Sequence, residues 1–187
     1  MNAAIYCGSA NVEDKIYEIK AKELIKKLAN ENYNIVYGGS KQGLMGAISN
    51  EALKCGAKVY GVITHDLASK ELENKNITQI YKVDTISQRK AKMVELSDIF
   101  IALAGGYGTF DELLDVISSI QIGYLQKPCV LFNTNGYYDK LLEFFYDCSK
   151  IGYINKDFVD MLIVSDDIDY IFSKLREYKA PKSKWDR

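Results

Sequence analysis

The stretch "DIFIALAGGYGTFDELL", residues 98–114, decides the class of fold to which this chain belongs. It begins with consecutive apolar residues, turns through three glycines and continues with the spacing of an amphipathic helix. A run that is apolar at successive positions is typical of a parallel strand covered on both faces of its sheet. The stretch therefore predicts a buried strand, a tight turn and a helix.

The same alternation of apolar runs and helical patterns extends along the chain. In the first helical pattern, Ile16, Ile19, Leu24 and Leu28 are predicted to lie near one face. Residues 64–76 are polar and lack a period, so we interpret them as an irregular lid or substrate loop. The predicted strands are "NAAIYC", "NIVYGG", "KVYGVI", "ITQIYKV", "DIFIAL", "KPCVLFN" and "MLIVSD".

This order of elements predicts an α/β fold: a doubly wound, Rossmann-like, mostly parallel sheet with helices on both faces. The length of 187 residues suits one domain, and no linker or repeat divides the chain. We therefore predict a single nucleotide-binding domain over residues 1–187, in which residues 178–187 form a frayed basic tail.

Composition narrows the classes of function. The formal net charge of −1 does not favour nucleic acid or an anionic membrane as a partner, and no apolar run is long enough for a membrane span. The four cysteines are far apart, which disfavours zinc ribbons and thioredoxin motifs and favours a cytoplasmic location. His65 is the single histidine, so a metal site with two histidines is excluded.

Three glycine-bearing turns follow predicted strands: "CGSA", "YGGSKQGLMG" and "LAGGYGT". In a doubly wound sheet such turns converge on one crevice, and a glycine turn before a helix attracts phosphate. A tight turn without any ligand is the open alternative. The loop is neither a Walker loop nor a dinucleotide fingerprint. The turn residues predicted to contact substrate are Ser9, Gly39, Gly105, Gly106, Tyr107, Gly108 and Thr109.

The two acids after the third turn allow two interpretations. Thr109 and Glu112 have the spacing of a capping box, in which Thr109 would be the N-cap and Glu112 the third helical residue. In the other interpretation, Glu112 lies one helical turn from a bound phosphate and is kept ionised by the helix N-terminus. Such a carboxylate suits activation of water or stabilisation of positive charge on a sugar.

A cationic pair lies on the helix predicted for "DTISQRKAKMVELS", which Asp84 or Thr85 would cap. Arg89 falls within the apolar face that Ile86, Met93 and Leu96 are predicted to form on that helix, and Lys90 lies at its edge. A guanidinium on a buried face requires an anion. Its partner could be a structural carboxylate, a helix C-terminus, a ligand phosphate or Glu112, and the sequence leaves these open.

Together these motifs resemble the LONELY GUY family of cytokinin riboside 5′-monophosphate phosphoribohydrolases, many of which were long labelled lysine decarboxylases. The family's P-G-G-x-G-T-x-x-E is matched by "AGGYGTFDE", its G-G-G-x-x-G-L-M-G by "GGSKQGLMG", and its Arg-Lys pair followed by methionine by "RKAKM". The opening "YCGS" and the later "GYYDKLL" also match. Two departures are Ala104 in place of the proline and Ser40 in place of the third glycine.

The resemblance implies hydrolysis of the N-glycosidic bond in adenine-type nucleoside 5′-monophosphates, such as AMP or a cytokinin riboside 5′-monophosphate. The products would be the free base and ribose 5-phosphate, with no cofactor and no metal. It also implies a homodimer that uses the helix "LLDVISSIQIGYL". The implied catalytic pair is Arg89 and Glu112, and the implied further substrate contacts are Lys90, Ser118, Glu71 and the loop Gly105–Thr109.

Two rival functions remain open at this point. A nucleotide-binding or carrier protein could share the fold without any turnover. A pyridoxal-phosphate-dependent decarboxylase would need a lysine placed for a Schiff base, and the sequence singles none out.

Overall fold

Seven parallel strands form one sheet in the computed structural model, which describes residues 1–186 except for the side chain of Glu71. The strands are β1 (Asn2–Tyr6), β2 (Asn34–Tyr37), β3 (Val59–Thr64), β4 (Gln79–Val83), β5 (Ile99–Ala102), β6 (Cys129–Phe132) and β7 (Ile163–Ser165). Their order in the sheet is β4-β3-β2-β1-β5-β6-β7. The order reverses between β1 and β5, so a crevice is expected beyond the carboxyl ends of these two strands.

Eight α-helices connect or flank these strands within the described residues. They are α1 (Ile16–Asn30), α2 (Gly43–Lys54), α3 (His65–Leu67), α4 (Ile86–Leu96), α5 (Tyr107–Gln121), α6 (Asp139–Ile151), α7 (Lys156–Asp160) and α8 (Ile168–Glu177). The predicted single doubly wound α/β domain is confirmed, and all seven predicted strands are present. None of these helices is long and apolar enough to cross a membrane.

Successive strand residues face opposite sides of the sheet and belong to two separate cores. Ile5 and Ile101 pack with α1, α2 and α8, whereas Ala4 and Phe100 pack with α4, α5 and α6. All four side chains are fully buried. The continuous apolar runs in the sequence therefore arise because each strand is covered on both faces.

Two sequence-based details of the packing are wrong. Ile19 is exposed, because it lies five residues before Leu24 and hence about 140° around α1 from the buried face. Ile86 was also placed on the apolar face of α4, but it is the first residue of that helix and is exposed, whereas Met93 is fully buried. Thr85 caps α4 through a capping box with Gln88, so Asp84 is not the N-cap.

Residues 64–76, predicted to be irregular, are instead largely helical. The Thr64 side chain caps α3 by accepting a hydrogen bond from the Leu67 N–H at 3.3 Å, and a π-helix continues over Ala68–Leu72. This helical segment is tied to the turn after β2, because the Lys41 N–H donates to the Leu72 carbonyl at 3.0 Å. The Thr64 cap and these backbone hydrogen bonds hold the segment over the crevice, although its sequence has no helical spacing of apolar residues.

The C-terminal residues return to the body of the domain. The Tyr178 hydroxyl donates to the Lys127 carbonyl at 3.3 Å, and the Lys184 N–H donates to the Gln121 carbonyl at 2.9 Å. These bonds place residues 178–184 beside the end of α5.

A close backbone approach at Gly43 fixes the turn after β1 against the start of α2. Gly43 has φ +52°, and a methyl group there would lie 2.5 Å from the carbonyl oxygens of Ser9 and Ala10. Gly56 also has a positive φ, +79°, but faces open space. Alanine would be strained at both positions because φ is positive. Only at position 43 would its methyl group also clash with neighbouring atoms.

We expect Gly56→Ala to lower the free energy of unfolding by about 1 kcal/mol, which is the cost of a left-handed alanine. Gly43→Ala should cost roughly 1–3 kcal/mol more, because the turn must move to admit the methyl group. Urea denaturation of both variants measures the difference. Equal losses in the two variants would contradict the close approach of these backbones.

Candidate active site

A cavity of about 330 Å³ opens beyond the carboxyl ends of the central strands, as the strand order predicts. The turns after β1 and β2, the segment around α3, and the facing ends of α4 and α5 form its walls. Its volume lies within the range of small-molecule sites in proteins. Its lining residues are Cys7, Gly8, Ser9, Ala10, Gly38, Ser40, Met45, Ile63, Leu67, Leu72, Arg89, Gly106, Gly108, Thr109 and Glu112.

The N-terminus of α5 forms one wall of this cavity. The Phe110 N–H bonds to the Gly106 carbonyl at 3.1 Å, so the N–H groups of residues 107–109 precede the first bond of the helix and need acceptors outside it. Side chains do not crowd this end, because a methyl group at Gly106 or Gly108 would meet no atom within 4 Å. N–H groups without helical partners and the helix dipole together suit this end to an anion.

The predicted capping box at Thr109 is wrong. The helix begins at Tyr107 with Gly106 as its N-cap, so Thr109 is already its third residue and is buried. Glu112 is consequently the sixth residue of the helix and cannot return a bond to the N-cap. The motif has the spacing of a capping box, but the helix begins among the glycines and not after them.

Glu112 instead faces Arg89 inside the cavity. Glu112 Oε1 lies 3.1 Å from Arg89 Nη1, and the two side chains are 5% and 11% exposed. Glu112 is therefore the anion that pairs with Arg89, a choice of partner that the sequence left open. The contact is an ion pair without hydrogen-bond geometry within the part of the chain that the structure describes, so Oε1 is paired by charge and can still accept a hydrogen bond from a ligand or water.

Backbone carbonyls orient the guanidinium of Arg89. Its Nε donates to the Val62 carbonyl at 2.9 Å and its Nη2 to the Gly38 carbonyl at 3.3 Å. A methyl group at Gly38 would lie 2.1 Å from Nη2, so only glycine leaves room for the guanidinium. Gly38 is therefore a site residue that the sequence analysis missed, and its signal was the paired glycine at the end of β2.

Burial dominates the electrostatics of Glu112. Removal from water raises the pKa of its carboxyl to about 7, Arg89 and Lys90 act to lower it, and Asp111 acts to raise it. The expectation that the helix N-terminus keeps this group fully ionised is therefore wrong, because desolvation outweighs the favourable charges. Burial also raises the pKa of the Cys7 thiol far above its usual range, so this thiol is unreactive.

The structure brings some of the predicted substrate contacts to the cavity and not others. Ser9, Gly106, Gly108 and Thr109 line it together with the ion pair. Gly39 lies behind the wall with φ +78°, and its carbonyl accepts a bond from the Asn74 N–H at 2.9 Å.

Four other predicted contacts do not line the cavity. Lys90 Nζ pairs with Asp111 at 3.0 Å, outside the cavity. Tyr107 is 92% exposed, and Ser118 is exposed on the outer face of α5. Gly105 packs under Thr109 and does not line the cavity. The side chain of Glu71 lies outside what the structure describes.

An apolar wall faces the polar groups across the cavity. Met45, Ile63, Leu67 and Leu72 form it. Sequence analysis missed this wall, because Leu67 and Leu72 occur singly in a polar segment. Among the side chains that the structure describes, no group of three or more histidine, cysteine, aspartate or glutamate residues is arranged to hold a metal ion.

The site lies at the reversal point of a doubly wound sheet and combines an open helix N-terminus with a buried arginine–glutamate pair. This arrangement is typical of α/β proteins that bind phosphate-bearing ligands. The family model described as "Possible lysine decarboxylase" matches residues 45–175. A probable cytokinin riboside 5′-monophosphate phosphoribohydrolase of Oryza sativa subsp. japonica, LOGL2, is 38% identical over 97% of this chain and 77% of its own. The enzyme LOG2 of Arabidopsis thaliana is 38% identical over 95% of this chain and 83% of its own.

The chain therefore belongs to the LONELY GUY (LOG) family, and the resemblance seen in its motifs is confirmed. Solved structures share its fold at much lower identity. The molybdenum cofactor binding protein of Rippkaea orientalis matches 94% of each chain with a TM-score of 0.69 and 17% identity. A molybdenum cofactor carrier protein of Chlamydomonas reinhardtii matches with a TM-score of 0.70 and 16% identity.

The raised pKa of Glu112 has a consequence for stability. The folded protein binds the proton of the Glu112 carboxyl more tightly than the unfolded chain does. Protonation of Glu112 therefore contributes its full stabilisation below about pH 4.5, and this contribution is lost as the pH rises through about 7. Between these values, wild type should lose up to about 1.4 kcal/mol per pH unit relative to Glu112→Gln, which does not titrate. Urea denaturation of both proteins across this range measures the difference. A difference that does not change with pH would show that the carboxyl has an ordinary pKa.

Proposed function

We propose that this protein hydrolyses the N-glycosidic bond of adenine-type nucleoside 5′-monophosphates to free base and ribose 5-phosphate. The observation that carries the proposal is the Arg89–Glu112 pair, buried in the same cavity as the open N-terminus of α5. The names of the LOG relatives support the same reaction class. The substrates are AMP, an N6-modified cytokinin riboside 5′-monophosphate, or both.

In this proposal the glycine loop binds the 5′-phosphate. The N–H groups of residues 107–109 point out of the helix end and can each donate to a phosphate oxygen. Glu112 lies about one helical turn further along α5, which separates the two negative charges by roughly 5–6 Å. That distance suits a ribose between them, so the phosphate and the carboxylate do not compete for one position.

Glu112 then acts on the sugar. As the C1′–N bond breaks, the base leaves with the bonding electrons and the ribose becomes positively charged, which an ionised carboxylate stabilises. Because its pKa is near 7, Glu112 can also accept the proton of the water that attacks C1′. The departing base takes up a proton from solvent to become the free base, and Glu112 later returns its own proton to solvent. Arg89 favours the ionised form of Glu112 and is itself held by two backbone carbonyls.

The apolar wall suits the base. Met45 and Ile63 offer contact area on one side, and Leu67 and Leu72 cover the cavity from the helical segment after β3. A purine ring and an apolar N6 substituent can both be desolvated against such side chains.

The chemistry of the cavity argues against a decarboxylase that forms a Schiff base. In the described part of the chain, no lysine lines the cavity, and Lys90 is engaged outside it by Asp111 and Asp115. Carrier function without turnover is the remaining alternative. It gives no role to a carboxylate and a guanidinium that are buried together in the cavity.

We also propose a cytoplasmic homodimer that binds neither nucleic acid nor membrane. The outer face of α5 and the residues after it expose large apolar side chains, with Leu114 at 45% and Tyr124 at 83%. Ser118 lies one turn from Leu114 on this face, so a second copy packed here would cover it. The net charge of −1 offers no attraction to polyanions.

The phosphate should decide substrate preference. Charge-assisted hydrogen bonds to the helix N-terminus are worth roughly 1.5–3 kcal/mol each, so removing two or three of them should cost at least a hundredfold in kcat/KM. We therefore expect AMP or an N6-substituted AMP to be cleaved and adenosine to be cleaved more slowly by that factor. Release of free base measures both. Equal kcat/KM for AMP and adenosine would contradict the proposal that the glycine loop binds the 5′-phosphate.

The charge of Glu112 should decide turnover. Glu112→Gln keeps the shape but cannot become negative, so kcat should fall on the order of a hundredfold or more. Glu51 offers a matched control, because it is also buried on a helix and pairs with Lys26 at 3.5 Å, away from the cavity. Glu51→Gln should keep kcat close to that of the wild type. Wild-type turnover in Glu112→Gln would mean that its carboxylate takes no part in the reaction.

A further inference from the structure

Three successive carbonyl oxygens of the glycine loop each accept a hydrogen bond from another part of the chain. The bonds are Tyr138 hydroxyl to Leu103 carbonyl at 2.7 Å, Gly8 N–H to Ala104 carbonyl at 3.0 Å, and Tyr137 hydroxyl to Gly105 carbonyl at 2.5 Å. Two of the donors are the adjacent tyrosines of "GYYDKLL", a motif to which the proposed reaction assigns no role.

The third of these bonds fixes the direction of an N–H group. In a trans peptide unit the C=O and the N–H point in opposite directions, and the described residues contain no cis peptide bond. The Gly105 carbonyl and the Gly106 N–H belong to one peptide unit. When Tyr137 holds that carbonyl on its own side, the Gly106 N–H is turned to the opposite side of the loop.

Among the described residues, no other group donates a hydrogen bond to the carbonyl of that peptide unit. It is flanked by Gly105 and Gly106, whose lack of a Cβ makes rotation of the unit inexpensive. Ala104 does not fix φ in the way that the family's proline would. Beneath the loop lies a second cavity of about 160 Å³, lined by Tyr17 and Tyr137 among others, so the loop is not packed tightly from below.

Tyr137 is itself held firmly enough to act as a fixed donor. Its ring makes edge-to-face contacts with Tyr17 and Tyr138, with centroids 5.8 and 5.1 Å apart. Tyr138 is fully buried, and its N–H donates to the Asn133 side chain at 2.7 Å. The tyrosine hydroxyl therefore reaches the loop from the start of α6, which lies on an independent part of the fold.

We propose that Tyr137 is a positioning residue that holds the Gly105–Gly106 peptide so that the Gly106 N–H faces the 5′-phosphate of the substrate. The proposal rests on the function proposed above. Tyr138 and Gly8 fix the two preceding peptide units, and Tyr137 fixes the last one before the helix. Tyr137 does not touch the substrate in this arrangement, because it acts through the backbone of the loop.

Removal of one hydroxyl tests this role. Tyr137→Phe keeps the ring contacts and loses only the bond to Gly105, so we expect KM for AMP to rise about tenfold while kcat stays within roughly twofold. kcat/KM for adenosine should not change, because adenosine has no phosphate. The matched control is Tyr146→Phe, whose hydroxyl bonds to Asp160 on the surface. A KM for AMP equal to that of the control, or equal losses for AMP and adenosine, would overturn the proposal.

A binding measurement keeps the proposal testable without turnover. The chain contains two Gly-Gly pairs, 38–39 and 105–106, so protein labelled with [13C′,15N]glycine gives carbonyl-selected amide signals for Gly39 and Gly106 alone. Ribose 5-phosphate should shift the Gly106 signal in wild type and in Tyr146→Phe. Tyr137→Phe should need about tenfold more ligand for the same shift.

The outcomes separate this inference from the proposed function. An unmoved Gly106 signal in wild type, or equal affinity in Tyr137→Phe and wild type, would overturn the role of Tyr137. In another outcome, ribose 5-phosphate shifts the Gly106 signal but the protein releases no base from any nucleotide. That outcome would refute the hydrolase activity and leave the positioning role of Tyr137 standing.

Discussion

The buried ion pair between Arg89 and Glu112 joins the two halves of the sheet at the point where the strand order reverses. Arg89 reaches from α4 to the carbonyls at the ends of β2 and β3, while Glu112 lies on α5, which follows β5. Each charge would be costly to bury without the other. The positions of α4 and α5 are therefore coupled, and with them the cavity that these helices enclose.

The same contact resolves a conflict within the glycine-loop motif. A helix N-terminus attracts an anion, yet two acids follow it within two turns. Because the helix begins at Tyr107, Asp111 turns outward to Lys90, while Glu112 turns inward to Arg89. The helix end stays open to a phosphate. Burial then raises the pKa of Glu112 to about 7, so in the proposed reaction a proton acceptor lies beside the sugar and not beside the phosphate.

The parts of this structure that depend on local pattern were predictable from sequence. Continuous apolar runs and glycine turns sufficed for the strands, the doubly wound fold and the family. The start of α5 was missed, because the spacing of Thr109 and Glu112 fits a cap whether or not the helix begins there. The partner of Arg89 remained open and Gly38 was overlooked, since both depend on how distant strand ends meet. Residues 64–76 have no apolar period, so their helical form follows from the Thr64 cap and backbone bonds.

A crystal structure with ribose 5-phosphate bound tests the central claim most directly. The account predicts that the phosphate lies within hydrogen-bonding distance of the N–H groups of residues 107–109 at the start of α5. It also predicts that C1 of the sugar faces the carboxylate of Glu112, with the Arg89–Glu112 pair intact. A phosphate bound to the guanidinium of Arg89, with Glu112 displaced from it, would contradict the account.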